Sequence, residues 1–369
     1  MKKIAAVFLT AGLMATTGTG QMLNPDSPAK GRWDFQLEKM WHKTAAGEYF
    51  FLRVSDIAVD ENGNLFVFDR KHARVIAMDA GGHYLFAFGR KGEGPGEYRR
   101  ADRIQLLGDR VIIPEAGRAH IFSRQGKHLI SLRFEQHITP RHFLDADRFI
   151  YYHNQLDSEG RIKADQIRLY DLKTRENRLI SEFGGAWELD LNSADLRLSI
   201  HVDDICTHLD ADALFMAKGD RFCIQRYSLP DGPLQTFSIE DRQPRRISLD
   251  WKKQKYGNLK INGKKLPPDM IRDMINEMPD FSDCISRILT DPRGNLYLLI
   301  GDEENETTQE VDIFSPGGRY LYRGEWILPE GLAIDSPQSL ELKGNFLYAF
   351  ARNPDGDGCI VKASICLPR

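Results

Sequence analysis

The chain has 369 residues, of which 41% are hydrophobic and 28% are charged, and this composition excludes a disordered or collagen-like protein. The formal net charge is −3 at pH 7, so the overall charge gives no argument for nucleic acid or an anionic membrane surface. Gly is frequent, with 31 residues, and 20 Phe and 12 Tyr residues accompany it. Turn formers and aromatic residues favour many short strands over long helices.

The first twenty residues have the pattern of an export signal. Met1-Lys2-Lys3 is a basic start, and Ile4 to Ala15 is an apolar run that is too short for a membrane span. A stretch of small residues follows, where cleavage would occur. Because no Cys lies in this region, the sequence gives no reason to expect a lipid anchor. We therefore expect a signal peptide at residues 1–20 and a periplasmic or extracellular protein.

Residues 54–88 contain four short apolar segments that are separated by turns. The segments are Val54–Val59, Leu65–Phe68, Arg74–Met78 and Tyr84–Phe88. The second segment is continuously apolar, as expected of a strand that is buried on both faces. Four antiparallel strands in about 40 residues are one blade of a β-propeller.

Two phrases of this blade recur far away in the chain. The turn and strand at Asp60–Val67 match Asp291–Leu298 almost residue for residue. The turn between the third and fourth strands, Met78–Leu85, recurs at Phe122–Leu129 and Phe314–Leu321. Three copies of such a phrase indicate a repeated supersecondary unit. A β-sandwich with a second domain is the alternative, but it would not explain near-identical hairpins.

Weaker copies of the second strand fill the intervals between the clear ones. Together they give six second-strand positions: Leu65, Val111, Phe149, Leu214, Leu296 and Phe346. We therefore predict an all-β fold, a six-bladed β-propeller that occupies residues 21–369 as one domain. Two of the intervals are long, which indicates insertions between blades.

The two ends of the chain are predicted to share one blade. The last blade has three evident strands, at Ser339–Leu342, Phe346–Phe350 and Cys359–Cys366. Trp33–Trp41 alternates apolar and polar residues with a period of two, so it could supply the missing outer strand. Joining the termini in one sheet removes an exposed edge.

A long insertion, at about residues 243–282, holds the helical signal of the chain. Pro267 and the residues after it open a helix over 270–278, in which Met270, Met274 and Met278, with Ile271 and Ile275 beside them, would form one apolar face. A basic run precedes the helix, Trp251-Lys252-Lys253-Gln254-Lys255. The insertion could be a helix packed on a face of the propeller or a lid over its central tunnel.

The first blade resembles the NHL repeat. Residues of that signature stand at the matching places: Asp60, Gly63, Asn64, Asp69, Arg74, Phe88 and Gly89, followed by the Gly-rich tail Arg90–Glu97. The whole chain is similar to the exported bacterial six-bladed propellers of this type, many of which have no assigned activity. The resemblance implies a propeller without implying a reaction. No blade carries the Gly-His and Trp-Asp marks of a WD40 repeat.

The sequence contains no catalytic motif that stands alone: no GxSxG, no HExxH and no Walker loop. Propellers commonly bind ligands where their innermost strands begin, around the tunnel. The register of the blades places five charged or ionisable residues near those starts: Asp56, Arg103, His142, Asp204 and Arg287. They could bind a small polar ligand or a cation, or they could pair with each other in a solvated tunnel.

Two functions remain open at this point. The first is a non-enzymatic binding or scaffold propeller, expected to be a monomer, whose partner is an unknown protein or a small polar ligand. Its binding face would carry the insertion, near Trp251 and Met270. The second is a metal-dependent hydrolase or lyase that is similar to gluconolactonases or streptogramin lyases. In it, Asp56, His142 and Asp204 would hold a divalent cation, and Arg103 or Arg287 would stabilise an anion.

Two further features bear on cofactors and redox state. Asn353–Gly358 resembles the first half of a calcium loop, but Ser364 stands where an acidic ligand is expected. A polar turn is therefore the simpler interpretation of that segment. The five cysteines are an odd number, so at least one of them has no partner within the chain.

Overall fold

The structure is a computed structural model. It describes residues 21–365 with these gaps: 45–50, 52, 136–137, 157, 159–161, 185–204, 211–212, 219–221, 229–233, 259, 262–263, 279, 303, 305–307, 329–330, 335 and 354. The predicted signal peptide therefore lies outside the described residues. In the part of the chain that is described, no helix is long and apolar enough to cross a membrane.

Short antiparallel strands form six sheets, the blades. The N-terminal segment contains β1 (Gln21–Asn24), β2 (Phe35–Gln36) and β3 (Glu38–Thr44). Blade one contains β4 (Val54–Val59), β5 (Leu65–Asp69), β6 (Arg74–Met78) and β7 (Tyr84–Phe88), and a linker with β8 (Arg90–Lys91) and β9 (Glu97–Tyr98) follows. Blade two contains β10 (Gln105–Leu107), β11 (Arg110–Glu115), β12 (Arg118–Ser123) and β13 (His128–Arg133). Blade three contains β14 (Pro140–Phe143), β15 (Arg148–Leu156), β16 (Ile162–Asp171) and β17 (Asn177–Gly184).

The second half of the chain repeats this plan around the insertion. Blade four contains β18 (Ile205–Asp210), β19 (Ala213–Lys218), β20 (Cys223–Ser228) and β21 (Leu234–Ile239). The insertion contains α1 (Leu249–Tyr256), β22 (Lys260–Ile261), β23 (Lys264–Lys265) and α2 (Pro268–Glu277). Blade five contains β24 (Arg287–Thr290), β25 (Leu296–Leu299), β26 (Thr308–Phe314) and β27 (Tyr320–Ile327). Then come β28 (Ala333–Ile334), a 3₁₀ turn (Pro337–Ser339) and the strands of blade six, β29 (Leu340–Lys343), β30 (Phe346–Arg352) and β31 (Gly358–Ser364).

The six-bladed propeller predicted from the sequence is confirmed. All six predicted second-strand positions fall in the second strand of a blade: β5, β11, β15, β19, β25 and β30. The first strands of neighbouring blades contact one another, so they surround the central axis. Buried apolar side chains form six clusters in the described residues, one at each interface between adjacent blades. The core is therefore a ring of inter-blade layers.

The recurring Asp-x-x-Gly-Asn phrase has a physical reason. One carboxylate oxygen of Asp60 accepts hydrogen bonds from the amides of Asn62 (2.9 Å) and Asn64 (2.8 Å), and the other accepts from the Asn64 side chain (3.0 Å). Asp291 makes the corresponding three bonds in blade five, at 2.8, 3.0 and 2.8 Å. Gly63 and Gly294 have φ values of +81° and +76°, which a side chain would strain. One carboxylate thus organises the whole turn.

The recurring turn between the third and fourth strands is also built by one polar side chain. Asp79 accepts from the amides of two residues of its own turn, and Ser123 and Ser315 accept amide hydrogen bonds in the equivalent turns. In each of these three blades the register between the third and fourth strands shifts. The shift lies between the two residues that precede Asp79, Ser123 or Ser315. A β-bulge at the same place therefore accompanies each copy of the phrase.

The N-terminal segment runs along the outside of three successive blades. Strand β1 adds to β21 of blade four and β2 adds to β27 of blade five, both in parallel. Strand β3 pairs with β31 in antiparallel fashion and completes blade six. The predicted closure is confirmed, but its bounds differ. Of the predicted Trp33–Trp41 strand, Phe35–Gln36 belongs to blade five, and the closing strand is Glu38–Thr44.

The insertion contains two helices, although the sequence indicated one. The predicted helix corresponds to α2. Three residues of its predicted apolar face, Ile271, Ile275 and Met278, are buried, whereas Met270 is 54% exposed. The basic run forms most of α1, which the side chain of Ser248 caps by accepting from the Trp251 amide (3.2 Å). Helix α1 has no amphipathic pattern, and for that reason periodicity did not reveal it.

We expect the closing strand to be essential for stability. In an antiparallel pair, one of two adjacent residues points its amide at the partner strand. The double variant H42P/K43P should therefore remove a ladder bond to β31 and cost about 1–3 kcal/mol in the free energy of unfolding. Urea denaturation measures this cost, with H42A/K43A as the control that keeps both amides. Equal stabilities of the two variants would contradict the closure.

The turn aspartates give a second prediction. Asp291 is 4% exposed, and D291A removes four charge-assisted hydrogen bonds, three within the turn and one from the Tyr297 hydroxyl, so we expect a loss of about 2–3 kcal/mol. D60A should behave similarly because it removes the same three turn bonds. Asp109, in the equivalent turn of blade two, has a 90% exposed side chain, so D109A is the matched control. Thermal denaturation should order the variants accordingly, and a D291A protein as stable as D109A would refute this account of the repeat.

Candidate functional site

The antiparallel order of the strands places the insertion and one end of the tunnel on the same face. In every blade the first strand is innermost and the fourth is outside it, so each connection between blades runs along the face where innermost strands begin. The insertion is such a connection, because it joins β21 to β24. We call the tunnel opening on this face the ring mouth. Its charged and ionisable residues are Asp56, Arg103, Arg141, His142, His208, Arg287 and Glu341.

Arg287 stands at the centre of the ring mouth between two carboxylates from other blades. Its Nη2 atom lies 4.0 Å from Asp56 Oδ1 and 3.8 Å from Glu341 Oε2. Its Nη1 atom donates to the carbonyl oxygen of Gln338 (2.7 Å). Asp56 in turn accepts from the amide of Ile104 (2.9 Å). The group therefore links blades five, six, one and two.

Both carboxyl groups are held in a poorly solvated place. Burial raises the pKa of Glu341 to about 7, although Arg287 opposes the shift. Burial also raises the pKa of Asp56 to about 6, against the effect of Arg287 and of the Ile104 amide. Their side chains are only 27% and 14% exposed. The pair can therefore hold or release a proton near neutral pH.

The opposite part of the ring mouth contains uncharged histidines beside arginines. His142 Nε2 lies 2.7 Å from Thr207 Oγ1, and the hydroxyl of Tyr152 lies 2.9 Å from the same oxygen. The guanidinium of Arg141 stacks on the Tyr152 ring, 4.5 Å from its centroid. Burial, and then the charge of Arg103, hold the pKa of His142 well below its usual range. The His142 imidazole is therefore neutral and serves as a hydrogen-bonding group.

His208 repeats this arrangement at the next interface. Its Nε2 atom lies 2.9 Å from Thr290 Oγ1 of blade five. Burial, and then the charge of Arg287, lower the pKa of His208 to about 4. Between blades two and three, the side-chain amide of Gln105 both donates to and accepts from the backbone of Phe143, each at 2.7 Å. Polar contacts thus join the innermost strands around the axis.

Four of the five predicted site residues lie at the ring mouth: Asp56, Arg103, His142 and Arg287. Asp56 and Arg287 approach each other, and the charge of Arg103 acts on the pKa values of both Asp56 and His142. The fifth, Asp204, lies outside the described residues. The sequence reading missed Glu341, His208 and Arg141. Glu341 is the second residue of the innermost strand of blade six, so blade register could have revealed it.

The described residues contain no cluster of ligands that would support the metal hypothesis. No three His, Cys, Asp or Glu side chains among them are arranged to hold an ion, and the hypothesis needs Asp204, which is not among them. In the loop with calcium-like spacing, Asn353 accepts from the amide of Asp357 (2.8 Å), so it closes a turn. Of the cysteines, Cys223, Cys284 and Cys359 form no disulfide in the described part of the chain.

A cleft of about 540 Å³ lies within the insertion, beside the ring mouth. Its walls come from α1, the end of α2 and the Glu304 loop of blade five. Lys252 points inward and donates to the carbonyl oxygen of Met278 (3.0 Å), with Asp280 3.1 Å away. The insertion is therefore a packed unit with a recess of its own.

No protein-family model matches the chain, and no curated protein matches it by sequence. Among solved structures, the chain is similar to a DUF4221 family member from Bacteroides vulgatus, with a TM-score of 0.57 and 12% identity over 89% of this chain and 97% of that one. It is also similar to a protein from Bacteroides fragilis that is named as exported, with a TM-score of 0.56 and 12% identity over 95% and 100% of the two chains. At such identities the similarity establishes the fold alone. The chain is thus a six-bladed β-propeller with the fold of these bacterial proteins, and its assignment to the NHL type stays a prediction.

The ring-mouth carboxyl groups predict a pH effect on stability. A carboxyl whose pKa is raised on folding binds its proton more tightly in the folded state, so stability falls as pH rises from about 4 to about 7. E341Q removes this contribution. The stability of E341Q relative to the unmodified protein should therefore increase over that range, on the order of 1 kcal/mol. The exposed Glu61 supplies the control E61Q, and urea titrations at several pH values measure the difference. A parallel pH dependence for E341Q and the unmodified protein would contradict the assignment.

Proposed function

We propose that this protein is an exported propeller whose ring mouth is a non-enzymatic binding site for a small polar ligand with at least one anionic group. The convergence of three guanidinium groups, two neutral imidazoles and two carboxyl groups from all six blades carries the proposal. Ligand sites in proteins combine a concave location with a few convergent polar groups, and the ring mouth has this character.

The charge of the ring mouth favours an anion. After burial, the charges of Arg103 and Arg141 contribute to the lowered pKa of His142, which supports a positive potential on that side. The Nε atoms of Arg103 and Arg287 are buried and donate no hydrogen bond within the described structure, and Arg103 Nε lies 3.5 Å from Asp102 Oδ1. A bound carboxylate or phosphate would accept from such guanidinium groups, whereas the carboxyl pair would receive hydroxyl or amino groups of the same ligand.

Export is supported by the basic and then apolar start of the chain, and a protein of the same fold is named as exported. Secretion of a reporter fused to residues 1–30 would test this part of the proposal. A reporter that stays in the cytoplasm would overturn it.

A thermal-shift screen tests the ring mouth directly. The panel contains small dicarboxylates, sugar acids, amino acids and sugar phosphates, together with calcium, magnesium and zinc chlorides. A compound at 100 times its Kd should stabilise the protein by about 2.7 kcal/mol. We expect an anionic compound to do so, and we expect R103Q and R287Q to abolish the shift.

Arg110 is the first residue of β11 and follows a turn on the opposite face, so R110Q is the matched control and should keep the shift. Shifts that survive both ring-mouth substitutions would refute the proposal. A shift caused by a divalent cation and lost in D56N would instead favour the metal-dependent enzyme.

A further inference from the structure

Blade two contains a serine that lies between two histidines, outside the ring mouth. Ser131 Oγ lies 2.9 Å from His120 Nδ1 and 2.9 Å from His128 Nε2. His120 and Ser131 stand directly opposite each other on β12 and β13, so their side chains share one face of the sheet. The contact between hydroxyl and imidazole is therefore fixed by strand pairing.

A buried carboxylate stands behind the first histidine. Glu115 Oε1 lies 3.6 Å from His120 Nε2, on the far side of the ring from the serine. Both side chains are nearly inaccessible, at 4% for Glu115 and 1% for His120. Glu115 Oε2 also accepts from the amides of Arg99 (3.0 Å) and Arg100 (3.1 Å). These contacts outweigh burial and lower the pKa of Glu115 to about 2, so the carboxylate is charged.

The proton positions in this chain are mutually consistent. A charged Glu115 favours a proton on the Nε2 atom of His120, which leaves Nδ1 as an acceptor. The Ser131 hydroxyl then donates to Nδ1. Burial lowers the pKa of His128, so a neutral His128 donates from Nε2 to Ser131 Oγ. The hydroxyl is thereby directed at a base whose other nitrogen faces a carboxylate at 3.6 Å.

A small cleft gives access to this serine. It has a volume of about 280 Å³ and is lined by Ser131, both histidines, Arg118, Arg133 and the Glu93–Pro95 part of the Gly-rich linker. That volume lies just below the usual range for ligand pockets, so it suits a short acyl group. Arg133 places a guanidinium group in the wall of this cleft, whereas the guanidinium of Arg118 is paired with Glu115.

We propose that Ser131, His120 and Glu115 form a nucleophilic site that hydrolyses short-chain carboxylic esters. A catalytic triad is recognised by the geometry and roles of its residues, which follow no fixed order in the sequence. These three residues can therefore form a triad although they match no known catalytic motif. Ser131 Oγ attacks the ester carbonyl carbon while its proton passes to His120 Nδ1. The alcohol leaves with that proton, and an acyl-serine remains. His120 then deprotonates a water that attacks the acyl carbon, and the carboxylic acid departs as Ser131 regains its proton.

A fluorophosphonate probe and p-nitrophenyl acetate test this site on the full-length protein. We expect the probe to modify Ser131, as mapped by peptide mass spectrometry, and we expect S131A to lower turnover of the ester by at least about 100-fold. Ser123, on the neighbouring strand β12, serves its own turn, so S123A is the matched control and should keep both activities.

Mapping of the probe on the unmodified protein needs no variant, so the test stands even where S131A folds poorly. Absence of the label from Ser131, or full ester turnover by a folded S131A, would overturn the proposal. Neither result depends on whether the ring mouth binds an anion.

Discussion

The pairing of β3 with β31 is the contact on which the other blades depend. The propeller is closed when a strand from the N-terminal segment of the chain completes the last blade. Here the same N-terminal segment also adds β1 to blade four and β2 to blade five before it reaches blade six. Half of the ring is thereby tied together by a single stretch of chain. Loss of that stretch would expose edges on three blades together.

Closure of the ring also assembles the ring mouth. Asp56 belongs to blade one, Glu341 to blade six and Arg287 to blade five, so the carboxyl pair lies across the interface that closure creates. Two acidic groups with raised pKa values would gain solvation if that interface opened. Arg287 offsets part of this cost. Stability and the ionisation of the ring mouth are therefore coupled beside the blade that is closed by the non-covalent pairing of β3 with β31.

The sequence revealed the fold because the repeats arise from local chemistry. The carboxylates of Asp60 and Asp291 organise identical turns through short-range hydrogen bonds, and such bonds leave a fixed spacing in the chain. The ring mouth could be predicted only in part. Asp56 and Arg287 follow from blade register, and Glu341 would follow from it too, but the contacts that make Glu341 and His208 neighbours of those residues arise from long-range packing. The serine site was not predicted for a different reason, because Glu115, His120 and Ser131 meet through the pairing of three neighbouring strands.

Ion pairs at the base of the insertion indicate how firmly this element is held on the propeller. Arg242 forms ion pairs with Glu310 and with Asp312, whose Oδ2 atom lies 3.2 Å from Arg242 Nη2. Arg245 pairs with Glu310 and with Asp302 on the same blade.

The N-terminal segment joins this network, because Asp26 lies 2.5 Å from Arg323 Nη2 and 3.5 Å from Arg242 Nη1. Asp312 and Arg242 are almost fully buried, and breaking a buried ion pair by separating one partner is costly. A lid that swings about this base would have to break these pairs at each opening. The insertion is therefore better described as a wall fixed beside the ring mouth, built on the same charged network that holds the N-terminal segment against blade five.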